Sequence, residues 1–270
     1  MLARFPYGGT ERTELIDWVT AVNIWARREP CISDMINWKM NDTPVTMCRN
    51  AAVWDAIEHQ VDILGMVDSD MEPDIDRTVP FAPAAFDFIT RRWDQAPTII
   101  AAPYCQGAPQ RVPTLGRWRQ HREGYEIKAD LFTREEATLQ HSIQEVPFLG
   151  TGVMFLDLRI FTGFPVGGET VKLPPPWFEY EWTDQYHRAK ASTEDTAFTR
   201  NVSMLFARYG LPTCFAHWDC WAYHWKPEQV GKPLDLSPMV MQHLIEPWEA
   251  AHRHNGHTPE EEVPIENHQS

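Results

Sequence analysis

Val61-Asp62-Ile63-Leu64-Gly65-Met66-Val67-Asp68-Ser69-Asp70 is an apolar run that ends in two carboxylates one residue apart. Read as a buried strand, it sends residues 68 and 70 to one side and Ser69 to the other, because side chains alternate along a strand. Two acids on one side can reach one hard cation. Mg²⁺ and Mn²⁺ take one or two protein carboxylates and complete their shell with substrate phosphate oxygens, so the pattern suits a diphosphate ligand. A solvated acidic turn is the competing reading, since Asp favours turns through local hydrogen bonds. The neighbouring elements have to choose between the two.

Working outward, residues 2–7 read as a short first strand, and Gly8-Gly9 reads as a turn that lets a ligand approach the backbone. Residues 13–28 place Leu15, Val19 and Val22 on one helical stripe, with Ile16 and Ala26 beside it. A second strand is expected over 32–38 and a second helix over 44–58, which makes the run at 61–67 the third strand. Alternating strands and helices imply an α/β fold with a mostly parallel central sheet flanked by helices. Ligands of such sheets bind beyond the carboxyl ends of the strands, where Asp68 and Asp70 fall.

Further on, residues 80–92 read as a helix and 97–102 as a strand. The Gly-, Pro- and Arg-rich stretch 103–122 reads as a loop with at most a hairpin. Residues 148–156 form an apolar strand interrupted by Gly150 and Gly152, glycines that serve either packing against a neighbour or close approach of a substrate. Ser192-Thr193-Glu194-Asp195 opens a helix that runs to Tyr209, with Phe198, Val202, Leu205 and Phe206 buried and Gly210 as its stop. A last helix is expected near 238–252, ahead of an acidic, disordered tail.

The 270 residues carry 12 Trp and 43% hydrophobic residues, enough for a sizeable core. No apolar stretch approaches the roughly 20 residues needed to cross a bilayer. The start carries no signal peptide, and five unpatterned cysteines suit a reducing compartment, so a cytoplasmic protein without disulfides is expected. The net charge of −14 disfavours sequence-independent nucleic-acid binding. Arg111, Arg117, Arg119, His121, Arg122 and Lys128, interleaved with Trp118 and Tyr125, make the one basic-leaning stretch, either a solvated surface or an acceptor-binding face.

The order of these features resembles a GT-A glycosyltransferase, and more narrowly the family-2-like, metal-dependent nucleotide-sugar transferases. The segments that carry the likeness are Cys48-Arg49-Asn50-Ala51-Ala52, then the Asp68-Ser69-Asp70 run, then Phe148-Leu149-Gly150-Thr151-Gly152. Pro176-Trp177-Phe178, Thr193-Glu194-Asp195 and a histidine near Tyr223-His224-Trp225 follow. The likeness spans about residues 1–226. Residues 227–254 would be a C-terminal helical extension and 255–270 the tail. The sequence departs from the pattern at Arg4 in the first strand, at the prolines of 80–83 and in the Trp content of 214–226.

The resemblance implies that Asp70, with Asp68 directly or through water, holds Mn²⁺ or Mg²⁺ against a nucleotide-diphosphate sugar, a UDP-sugar first among the donors. His224 would be the third metal ligand, with His217 as the competitor. Asp195 would be the general base toward an acceptor hydroxyl in an inverting transfer, with Glu194 orienting the acceptor or capping the helix. Pro6 and Tyr7 would line the nucleotide side, Asp42 would read the nucleobase, and Arg49 would reach a phosphate or the base, or make a salt bridge on the helix surface. Gly150, Thr151 and Gly152 would lie under the sugar and acceptor, a saccharide first among acceptors, with Trp177 and Phe178 as a stacking wall. Other readings stay open: a nucleotidyltransferase-like enzyme, disfavoured by the lack of a Gly-rich basic phosphate loop, and a non-catalytic nucleotide-sugar-binding protein. Cys214, His217, Cys220 and His224 match no common zinc spacing.

Overall fold

The apolar runs at 2–5, 63–68, 99–101, 153–157 and 214–217 become strands of one central sheet, and the amphipathic stretches between them become helices on its two faces. The computed structural model describes residues 1–5, 11–40, 44–75, 79–106, 112–120, 127–182 and 190–225. In chain order the first elements are β1 (Leu2–Phe5), α1 (Thr13–Ala26), β2 (Asn37–Lys39), α2 (Val45–Glu58), β3 (Ile63–Asp68), β4 (Met71–Glu72), α3 (Phe81–Arg91) and β5 (Ile99–Ala101). Next come β6 (Leu115–Gln120), β7 (Ile127–Leu131), α4 (Arg134–Thr138), β8 (Ile143–Glu145), β9 (Phe148–Leu149), β10 (Val153–Asp157) and α5 (Arg159–Thr162). Two small hairpins follow, β11 (Phe164–Val166) with β12 (Glu169–Val171), and β13 (Glu181–Trp182) with β14 (Lys190–Ser192). The series closes with α6 (Glu194–Ala207), β15 (Cys214–His217) and β16 (Tyr223–His224).

The central sheet has seven strands in the order β2-β1-β3-β10-β5-β15-β8. The expected mostly parallel sheet is found in part. β1 pairs in parallel with β2 and β3, and β5 with β15, but β10 is antiparallel to both β3 and β5, and β8 is antiparallel to β15. The sheet is therefore mixed. The cause is local: β10 sets out from the edge at which β1, β3 and β5 end, so it runs back through the sheet between β3 and β5. Five strands still finish at one edge, and the turns that carry polar chemistry gather there.

Alternation along the strands separates two apolar layers. Leu64, Met66, Met154 and Leu156 pack with Ala52 and Val53 of α2 and with Phe198, Val202 and Phe206 of α6. Val67, Ile100, Val153 and Phe155 pack on the other side with Leu15, Val19 and Val22 of α1 and with Phe81, Ala85 and Ile89 of α3. The stripes expected for α1 and α6 are largely those found, although Ile16 is 46% exposed. Arg4, unusual in a strand, pairs with Glu11 at 2.7 Å.

The expected single strand over 148–156 is two strands in two sheets. β9 pairs with β6 in a three-stranded sheet, β10 belongs to the central sheet, and Gly150-Thr151-Gly152 is the crossing between them. The hairpin allowed within 103–122 begins with β6, which pairs with β7. Arg117 of that hairpin lies 4.4 Å over the Phe132 ring and 3.3 Å from Glu136, and Arg119 is 2.7 Å from Asp130, so acids balance these charges. Arg111, His121 and Arg122 lie outside the described residues. No disulfide joins the cysteines, and among the described residues no helix is long and apolar enough to cross a membrane. Met1–Trp225 forms one compact unit; Lys226–Ser270, with the helix and tail expected there, lies outside the described residues.

Candidate functional site at the carboxyl edge of the central sheet

β3 delivers Asp68 to the carboxyl edge as its last residue. The Asp68 N–H donates to Gly152 O at 2.9 Å and the Ser69 N–H to Phe5 O at 3.0 Å, so the acidic turn is fixed between the end of β1 and the Gly-Thr-Gly crossing. Asp70 sits in this turn, before β4, and not on the strand. Strand alternation therefore does not govern the pair, and the two carboxylates take different partners. They still feel one another, since Asp70 adds to the rise in the Asp68 pKa.

Asp70 faces the C-terminal segment. β16 pairs antiparallel with β4, which sets His224 opposite Met71, and the Trp225 N–H donates to Asp70 O at 2.7 Å. This brings His224 Nε2 to 3.1 Å from Asp70 Oδ2. A carboxylate only accepts, so Nε2 carries the proton here. Nδ1 is buried without a hydrogen-bond partner. His217, the competing ligand, lies at the end of β15, 6% exposed, with Asp219 as the acid that acts on it.

Asp68 faces Arg49. Cys48, Arg49, Ala52 and Val53 are the buried side of α2, so the arginine enters the protein under the sheet edge and is 3% exposed. Its Nη2 donates to both Asp68 oxygens, at 3.0 and 2.9 Å, and its Nη1 donates to Glu194 Oε1 at 2.8 Å. Burial lowers the Arg49 pKa, but Asp68, Glu194 and Asp195 outweigh it, and the net shift is upward. Burial pushes the Asp68 carboxyl up to about 6 although Arg49 opposes it. Of the roles expected for Arg49, the structure has the salt bridge, made in the interior and not on the helix surface.

Glu194 and Asp195 open α6, where acids complement the helix dipole. Glu194 is 8% exposed and committed to Arg49. Asp195 is half-buried, its Oδ1 accepting from the Thr196 N–H at 2.8 Å and from the Thr193 hydroxyl.

Tyr104, which the sequence reading passed over, occupies the middle of the site. It follows β5, is 6% exposed, and lies with its ring edge-on to His224 at 5.2 Å. Its hydroxyl accepts the Gly152 N–H at 3.2 Å, and its carbonyl oxygen accepts from the Thr114 hydroxyl at 3.1 Å. Burial raises its pKa, and Asp195 and Asp68 raise it further, which puts the hydroxyl within electrostatic reach of both carboxylates. The glycines of the crossing make room for it. A Cβ on Gly150 would stand 2.5 Å from Tyr104 Oη, and one on Gly152 would stand 3.0 Å from its ring. Gly150, Thr151 and Gly152 are all buried, so packing around Tyr104 accounts for them without a substrate.

Trp177 is 3% exposed and Phe178 fully buried. Trp177 donates its indole N–H to Leu173 O and packs between Trp54 and Phe161, while Phe178 stacks on Phe198 at 4.2 Å. The expected stacking wall is therefore core, because both rings are buried against neighbours. Asn50, next to Arg49, holds this segment: its Oδ1 accepts the N–H groups of Trp177 and Phe178, and its Nδ2 donates to Phe178 O. Pro6, Tyr7 and Asp42 lie outside the described residues.

The donor set suits a divalent cation in part. Among the described residues no three His, Cys, Asp or Glu side chains converge as a metal site, so neither the zinc quartet nor a closed Asp68-Asp70-His224 cage is present. Asp70 and His224 supply one carboxylate and one imidazole, a pair that fits Mn²⁺ or Mg²⁺ if phosphate oxygens complete the shell. A separate cavity of about 400 Å³, at the C-terminal end of α6 and lined by Trp118, Glu145, Ser203 and Met204 among others, holds none of the residues of this site.

No protein-family model and no curated protein matches the sequence. Among solved structures the chain is similar to that titled "Crystal Structure of A197 from STIV", at 18% identity and a TM-score of 0.48, over 83% of this chain and 85% of that one. The protein's own strand pairing makes it a mixed α/β fold whose central sheet is flanked by helices and is partly antiparallel.

Proposed function

We propose that the protein is a metal-dependent glycosyltransferase of GT-A type that moves a sugar from a nucleotide-diphosphate sugar to an acceptor hydroxyl with inversion. The observation that carries this reading is the Arg49 bridge, which joins the Asp68-Ser69-Asp70 turn to the Glu194–Asp195 helix start although 126 positions separate Asp68 from Glu194. Asp70 and His224 would hold Mn²⁺ or Mg²⁺, which when bound supplies Lewis-acid stabilisation of charge on a departing diphosphate. Asp195, half-buried at the helix start, would accept the proton of the acceptor hydroxyl. Tyr104, hydrogen-bonded to the Gly152 amide, anchors the crossing beside this site.

The reading is tested with UDP- and GDP-sugars, Mn²⁺ and a panel of saccharide acceptors. Transfer is expected in the wild type and lost in Asp70→Asn and Asp195→Asn; full turnover by Asp195→Asn removes it as the base. One observation favours a second reading, a nucleotide-sugar-binding protein without transfer: the Asp195 carboxylate is occupied by its own first turn, through Thr193 and Thr196. That protein would bind UDP or GDP with Mn²⁺, seen as a raised melting temperature, and turn over nothing.

A further inference from the structure

Arg49 touches both halves of the proposed site. It gives one forked cation to two carboxylates of different elements, Asp68 at the end of β3 and Glu194 at the start of α6. A guanidinium holds donors on two nitrogens in a fixed planar fork, so one side faces Asp68 while the other faces Glu194. The Asp68 side chain is 26% exposed on the side that Arg49 does not cover, whereas the Arg49 side chain is 4% exposed. A divalent cation at Asp70 would approach Asp68 from that open side and compete with Arg49 for its oxygens.

We propose that Arg49 is a positioning residue through which Glu194 sets the affinity of the Asp68–Asp70 turn for a divalent cation. The inference rests on the metal site proposed above. Glu194 draws part of the guanidinium charge toward α6 and so leaves Asp68 free to share its electrons with a metal. When Glu194 loses its hold, Arg49 settles wholly on Asp68, and the metal faces a neutralised carboxylate. The linkage is reciprocal: cation binding at the turn strengthens the Arg49–Glu194 pair and firms the helix start that carries Asp195.

The test measures Mn²⁺ binding by electron paramagnetic resonance, with and without UDP, and requires no turnover. Arg49→Met, which removes the competing cation, is expected to tighten Mn²⁺ binding about fivefold or more, and Glu194→Gln to weaken it by a similar factor. Opposite signs are the diagnostic, because damage to the fold weakens both. Glu194→Asp keeps the charge but shortens the reach by one methylene, so it is expected to weaken binding nearly as much as Glu194→Gln. This variant carries the test if Arg49→Met does not fold. Wild-type binding of Mn²⁺, abolished in Asp70→Asn, together with wild-type affinity in Glu194→Asp and Glu194→Gln, overturns the role of Arg49 and leaves the metal site standing. Failure of the wild type to bind Mn²⁺ under either condition overturns both.

Discussion

His224 Nε2 lies 3.1 Å from Asp70 Oδ2, although 154 positions separate the two residues. The contact is made by backbone pairing: β16 against β4, with the Trp225 N–H on Asp70 O, brings the C-terminal segment back over the acidic turn. A cation between the two side chains would take the Nε2 lone pair, which the neutral imidazole offers once its proton sits on Nδ1. We expect His224→Ala to weaken Mn²⁺ binding by about tenfold or more, since even supporting residues of metal sites contribute about that much. Isothermal titration with Mn²⁺ and UDP checks it, and unchanged affinity would remove His224 from the site.

The Gly-Thr-Gly crossing packs against Tyr104, with Thr114 beside Gly150 and Met71 beside Gly152. Gly150→Ala would place a methyl 2.5 Å from Tyr104 Oη and 2.7 Å from Thr114 Oγ1. Overpacking of this kind costs about 1–3 kcal/mol. Removing the phenolic oxygen relieves the nearest clash, so Gly150→Ala is expected to cost less by about 1 kcal/mol in a Tyr104→Phe background. Urea unfolding of the four proteins of the cycle measures this. Equal costs in the two backgrounds would show that Tyr104 is not what the glycine accommodates.

Asn50 ties α2 to the loop that carries Trp177 and Phe178 through three backbone contacts. Asn50→Ala leaves two amides and a carbonyl without their partner and is expected to destabilise by about 1–3 kcal/mol. Asn50→Asp keeps the acceptor for both amides but loses the donor to Phe178 O, and should fall between wild type and alanine. Thermal unfolding with a near-ultraviolet circular dichroism readout of the tryptophans follows both; an aspartate variant worse than alanine would count against the arrangement.

His217 introduces an acid sensitivity. Burial lowers its pKa from the ordinary 6.5, and Asp219 only partly opposes this. The unfolded chain then binds the proton more readily than the folded one, so stability is full above about pH 6.5 and falls as the pH drops toward the lowered folded value. His217→Gln should lose less melting temperature than the wild type between pH 7.5 and 5.5. An identical loss in both would assign the acid sensitivity elsewhere.

Several elements could be read from residues alone because their signals are local. The stripe of α6 and its Gly210 stop, at φ +69, follow from helical period and glycine's tolerance of positive φ. The boundaries of α2, α3 and β3 likewise lie within two residues of those expected. The failures were of another kind. Nothing in Phe148 to Leu156 announces that the two halves enter different sheets, since β9 and β10 are equally apolar and differ only in which partner reaches them. Tyr104 carried no pattern at all, and its importance lies in the two glycines that avoid it, 46 and 48 positions away. Trp177 looked like a sugar platform because an exposed indole and a core indole are identical in sequence.

By itself the sequence determined the main helices and the β3 run, that an acidic turn closes β3, and that a Glu-Asp pair opens α6. Periodicity, turn chemistry and helix-end electrostatics act over a few residues and are written in their order. Only the tertiary structure decided the partners: Asp68 with Arg49 and Glu194, Asp70 with His224, and the glycine crossing with Tyr104. Those pairings depend on where β10 inserts in the sheet and how β16 returns to β4, and on which buried charges then lie close enough to neutralise one another. Desolvation makes such neutralisation obligatory, but only long-range packing determines which partners meet.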